Sequence, residues 1–224
     1  MELIHCRVNL WLRELQSTEG PTLLLLHELG SSGADWKQEV EAWPGAVHAL
    51  DFAGHGRSAP IAGGSYYPEL LAGDANAALA AVGPAFVAGA GIGAYAALLL
   101  AGARPESVPA ALLMPGAGLD GGGALPSFDA EIEVPAPPAP TPAPAPGLKE
   151  AEGTDPTVHR WLDGDVRPVD YAEAFGRAAR RLILVEGGDA RPPWWRALRS
   201  LPRVGSSPDP VSGLVALLKE TRAP

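Results

Sequence analysis

The chain of 224 residues holds one cysteine, Cys6, so no disulfide can form within it. Cys6 sits in a short extended amino-terminal stretch, where it is expected as buried filler rather than as a reactive thiol. A chain without an internal disulfide suits a reducing cytoplasm. Cations are scarce as well: 17 Lys and Arg stand against 26 Asp and Glu, for a formal net charge of −9. No basic run occurs anywhere. That argues against nucleic acid, whose phosphates demand clustered Lys and Arg, and against an anionic membrane surface. The opening Met-Glu-Leu-Ile-His lacks the basic and apolar segments of a secretory signal. One uncharged stretch, from Asp74 to Arg104, is long enough to cross a bilayer. Gly83-Pro84 and the glycines at 89, 91 and 93 break it, so a buried strand and a buried helix are expected there instead of a membrane span.

What is present suits a packed domain. Hydrophobic residues make up 46% and charged residues 19% of the chain, and its length fits one domain. Residues 3–15 alternate well enough for one or two strands, and 22–27 (TLLLLH) form the continuous apolar run of a strand buried on both faces. A helix is expected over 33–43, where Trp36, Val40 and Trp43 fall at helical spacing. Strand 46–52, helix 69–82, strand 85–88, helix 92–103 and strand 110–114 follow. Such alternation predicts an α/β fold with a mostly parallel sheet and helices on both faces. Ligands in such sheets bind outside the carboxyl ends of the strands, which singles out the loops after His27, Phe52, Gly89 and Met114.

The pattern then breaks. Residues 116–123 are glycine-rich and 135–146 (PAPPAPTPAPAP) are a Pro-Ala tract, which reads as an extended, polyproline-like strap. Further on, a helix is expected over 169–180, a strand over 181–185 and a helix near 193–199. A short strand near 202–205 and a helix over 210–221 complete the chain. No internal repeat is evident.

Three strings then occur in order. The first is TLLLLH followed by Glu28-Leu29-Gly30-Ser31-Ser32. The second is Asp51-Phe52-Ala53-Gly54-His55-Gly56-Arg57-Ser58. The third is Gly89-Ala90-Gly91-Ile92-Gly93, at a strand-to-helix turn. In these the chain resembles the α/β-hydrolase superfamily, and the D-x-x-G-H-G-x-S string is the most specific element. The resemblance implies one α/β-hydrolase-like domain over 1–224, with 116–167 a Gly/Pro-rich insertion in place of a cap. It also implies a nucleophile at the centre of a G-x-S-x-G elbow, but here that position is Gly91. The family's acid would fall at Asp189 or Ala190, and Asp189 stands as a vestigial candidate. The family's histidine would follow, and no histidine occurs after His159. No catalytic residue can therefore be assigned.

Absence of nucleophile and base together points to a catalytically degenerate homologue. What remains is a set of amides. Those of Ile92 and Gly93 open a helix, and the Leu29 amide is expected to point at the same place, where it would favour a small ligand bearing a carbonyl or carboxylate, or a partner. The pocket residues are then His27, Glu28, Leu29, Gly91, Ile92 and His55. An alternative is non-triad chemistry, as in a lyase, an isomerase or a weak hydrolase, with His27 or His55 as the acid–base group. A structural role for His27, Asp51 and His55, and loop capping by Ser31 and Ser32, compete with these readings. Gly89-x-Gly91-x-x-Ala94 also matches a dinucleotide fingerprint, but the next strand ends Leu113-Met114-Pro115 without the acidic residue a ribose requires. No cofactor and no metal site is expected. Trp161, Trp194 and Trp195 are expected in packing, and the oligomeric state is not encoded in any visible pattern.

Overall fold

The computed structural model describes residues 1–119, 153–162, 167–186 and 192–219, without the side chains of 159–161. The Pro-Ala tract, Asp189 and the Trp161 side chain lie outside the described residues. Strands β1 (Glu2–His5), β2 (Val8–Gln16), β3 (Leu23–Leu26) and β4 (Val47–Asp51) open the main sheet. Strands β6 (Phe86–Ala90), β7 (Ala111–Met114), β9 (Leu182–Val185) and β10 (Val204–Ser207) complete it. Its order is β1-β2-β4-β3-β6-β7-β9-β10. The first two pairings are antiparallel and all those from β4 onward are parallel. The expected α/β class and mostly parallel sheet are therefore found.

Each central strand is apolar along its whole length because both of its faces are covered. Leu24 and Leu26 of β3 point into one core cluster, with residues of helices α2 (Pro68–Val82), α3 (Ile92–Ala103), α5 (Val169–Ala178) and α6 (Pro193–Leu198). Leu23 and Leu25 point into another, with Leu214 and Leu217 of α7 (Pro210–Lys219) and Val40 of α1 (Gln38–Ala42). Alternate residues of one strand thus serve both sides of the sheet. Helix α3 has ten buried residues and no polar face, since it is enclosed by the sheet, α2 and α5. The uncharged stretch is the end of α2 followed by the buried strand β6 and the buried helix α3. Among the described residues no helix is long and apolar enough to cross a membrane.

Three expectations need correction. The helix expected over 33–43 is only α1, because Gly33 and Asp35 are engaged elsewhere: the Gly33 amide donates to Asp51 Oδ1 (2.7 Å) and Asp35 accepts from Ser31 and Ser32. The strand expected near 202–205 lies two residues later, where Val204–Ser207 match Leu182–Val185 in register. Cys6 is exposed, not buried, and forms with Arg7 the turn between β1 and β2. Two elements in the glycine- and proline-rich region went unforeseen. Strand β8 (Gly153–Thr154) pairs with the two-residue β5 (His55–Gly56), and α4 (Thr157–Leu162) follows, with Val158 and Leu162 buried.

Candidate functional site

The turn from β6 into α3 is made by Gly91, at φ +53° and ψ −118°. A residue with a Cβ rarely adopts a positive φ, so glycine relaxes a turn that would strain any other residue. A second constraint acts on the same atom. A Cβ on Gly91 would collide with the backbone of Ala117, with its carbonyl oxygen nearest. The space a side chain at position 91 would need is filled by main chain.

That main chain is held by several groups. The amides of Leu29 and Ile92 both donate to the Ala117 carbonyl, at 3.2 and 3.1 Å. The Ala117 amide donates to Glu28 Oε2 at 2.7 Å. The Leu119 amide donates to the Leu162 carbonyl (2.7 Å), and Trp194 Nε1 donates to the Leu119 carbonyl (2.9 Å). Gly118 and Leu119 adopt φ of +87° and +55°. Leu29, Gly91 and Ile92 therefore come together as expected, and Glu28 joins them by gripping the loop. The expectation that the Leu29 and Ile92 amides stand open to a ligand needs correction: both are engaged by residue 117. The small residues Gly116-Ala117-Gly118, which let backbone approach backbone, are a faint signal of this in the sequence.

The two histidines sit behind this loop, in the core. His27 is buried; its Nδ1 donates to the Glu28 carbonyl (2.7 Å) and its Nε2 accepts from the Phe52 amide (3.1 Å). Burial holds its pKa below the ordinary histidine value, so the ring is neutral, with both nitrogens engaged by backbone. His55 is also buried, with Nδ1 at 3.2 Å from the Ala53 carbonyl and its ring 4.9 Å from that of His27. Asp51 is fully buried and accepts from Arg13 Nε (3.1 Å) and Nη2 (2.9 Å), from the Gly33 amide (2.7 Å) and from the Arg57 amide (2.9 Å). Ser58 Oγ donates to the Asp51 carbonyl (2.5 Å) and accepts from the Trp11 amide (2.8 Å). The Asp51 and Ser58 side chains of the D-x-x-G-H-G-x-S string are thus held at a buried corner by Arg13 and by backbone groups. Ser31 and Ser32 bond to Asp35, as loop capping requires. Trp194 packs edge-on against Tyr95 and Trp195. Among the described residues no group of three or more His, Cys, Asp or Glu side chains is placed to hold a metal ion.

No family model matches the chain, and no curated protein matches it. Solved structures do. An epoxide hydrolase from Vigna radiata is 26% identical over 51% of this chain and 37% of its own, with a TM-score of 0.46. A bacterial membrane phospholipase A is 26% identical over 55% of this chain and 41% of its own, with a TM-score of 0.48. The Cif epoxide hydrolase from Acinetobacter nosocomialis is 21% identical over 52% and 38%, with a TM-score of 0.47. The matches thus span about two fifths of the length of those proteins. With its mixed, mostly parallel sheet, its turn between β6 and α3 and its D-x-x-G-H-G-x-S corner after β4, the chain has the α/β architecture that its resemblance to α/β-hydrolases implied.

Proposed function

We propose that the protein is a catalytically degenerate α/β-hydrolase-fold protein whose elbow receives a carbonyl or carboxylate group without cleaving it. One observation carries this reading: the Leu29 and Ile92 amides converge on a single carbonyl oxygen, that of Ala117. Two converging amides suit a carbonyl oxygen or an anion. Residue 117 occupies that place here, and a ligand carboxylate would exchange for it. Turnover is not expected, because Gly91 has no nucleophile and no histidine follows residue 159. Loss of the nucleophile alone costs a serine hydrolase on the order of a million-fold. Non-triad chemistry by His27 is disfavoured, since both its ring nitrogens are engaged by backbone. The single cysteine accords with action in a reducing compartment.

The test has two arms. A fluorophosphonate probe should leave the protein unlabelled, and nitrophenyl esters should be hydrolysed at background rate; labelling or rapid hydrolysis would overturn the degeneracy. A series of straight-chain carboxylates should raise the melting temperature while the matching alcohols do not. A flat response to every carboxylate would refute the binding half.

A further inference from the structure

Away from the elbow, at the tip of the β1–β2 hairpin, three side chains stand in a row. Cys6 Sγ lies 3.3 Å from His5 Nε2, and His5 Nδ1 lies 2.7 Å from Asp74 Oδ1. Asp74 belongs to α2 and its side chain is 1% exposed, whereas the His5 side chain is 24% exposed and the thiol is open to solvent. Asp74 is fixed from behind by the Ala53 amide, which donates to Oδ2 at 3.1 Å. The carboxylate fixes the tautomer: with the proton on Nδ1 facing Asp74, Nε2 is left to accept from the thiol. The helix also makes room for the ring, since a Cβ on Gly73 would fall within the His5 imidazole.

The hydrogen bond to Asp74, aided by the carboxylate charge and opposed by partial burial, raises the His5 pKa above its ordinary value and makes the ring a better base. A thiol paired with an imidazole that a carboxylate orients is an environment in which cysteine reacts as a nucleophile.

We propose that Cys6, activated by His5 and oriented through Asp74, is a site of thiol–disulfide exchange with small disulfides of the glutathione class. His5 Nε2 takes the Cys6 proton, and the thiolate attacks one sulfur of the disulfide. A Cys6–glutathione bond forms as the original sulfur–sulfur bond breaks. The departing glutathione thiolate takes the proton from the imidazolium. Cys6 is oxidised, the released glutathione is reduced, and no further reactant is needed.

Because the chain has one cysteine, the reaction can be followed by intact mass without ambiguity. The full chain is mixed with glutathione disulfide at neutral pH, both folded and in denaturant. The folded protein should add one glutathione about tenfold faster than the unfolded chain, in which the same thiol lacks its partners. His5→Gln, confirmed folded by its melting curve, should fall to the unfolded rate. A folded rate no faster than the unfolded one would overturn the proposal without recourse to any variant. So would an unchanged rate in a folded His5→Gln protein.

Discussion

At Gly91 two requirements meet on one atom: the backbone sits at positive φ, and the space a Cβ would need is taken by Ala117. Placing a hydroxyl there therefore carries a structural cost. Gly91→Ser should destabilise the protein by about 1–3 kcal/mol from the backbone conformation alone, with a further cost from displacing residue 117. It should leave ester hydrolysis at background, because a serine without a base is a weak nucleophile. Urea denaturation and a nitrophenyl ester assay check the two halves. The glycine itself was legible, since its place in the string marks a missing side chain. What fills the vacancy was not: Ala117 lies 26 positions further on, in a stretch whose only signal is small size. Asp51 teaches the same lesson in reverse. Its place in the D-x-x-G-H-G-x-S string was plain, but its partner Arg13 comes from β2, and no local spacing connects the two.

Among the elements, those carrying long apolar runs were readable because one period settles their fate. Leu23–Leu26 and Ala111–Met114 have no polar residue to tolerate a wet face. Elements held by tertiary partners were not. Strand β8 has two residues and exists because His55 and Gly56 lie opposite it, and α1 is short because Asp51 claims the turn before it. The segment 115–119 belongs with these, since Glu28, Leu162 and Trp194 hold it. Glu28→Ala should loosen this segment at a cost of about 1 kcal/mol, and hydrogen exchange at Ala117 and Leu119 should quicken while the amides of β6 and β7 stay protected. If carboxylates bind by replacing residue 117, they should bind this variant more tightly than the wild type.

A second tie between elements carries a pH dependence. His5 of β1 meets Asp74 of α2, and the hydrogen bond between them raises the folded pKa of His5. Its contribution is fully present below the unfolded value of about 6.5 and is lost as pH rises through the folded value. Burial lowers His27 and His48, so their contributions are complete above that unfolded value and leave the higher window to His5. Wild-type stability in urea should therefore fall above about pH 6.5 relative to His5→Gln. A pH-independent difference between the two would contradict the assignment of this tie.

For the whole molecule, the question is whether the main sheet and the described part of the interrupted region unfold as one body. The two core clusters lie on opposite faces of one sheet, and β3 supplies side chains to both, so neither cluster can melt while the other keeps its strands. The described part of the interrupted region is tied to the same frame. The Asp155 amide donates to the Gly54 carbonyl (2.7 Å), Tyr66 donates to Asp155 Oδ2 (2.7 Å), and Leu162 is buried. Residues 54 and 66 flank the corner that leads into α2, so unfolding α4 strips partners from the corner, and unfolding the corner strips them from α4. Mutual dependence of this kind makes a single cooperative transition the expected behaviour of the described residues. In a calorimeter the measured enthalpy should equal the van't Hoff enthalpy. Two resolved transitions, or a calorimetric value well above the van't Hoff one, would divide the chain into separate units and place α4 outside the body that carries the elbow.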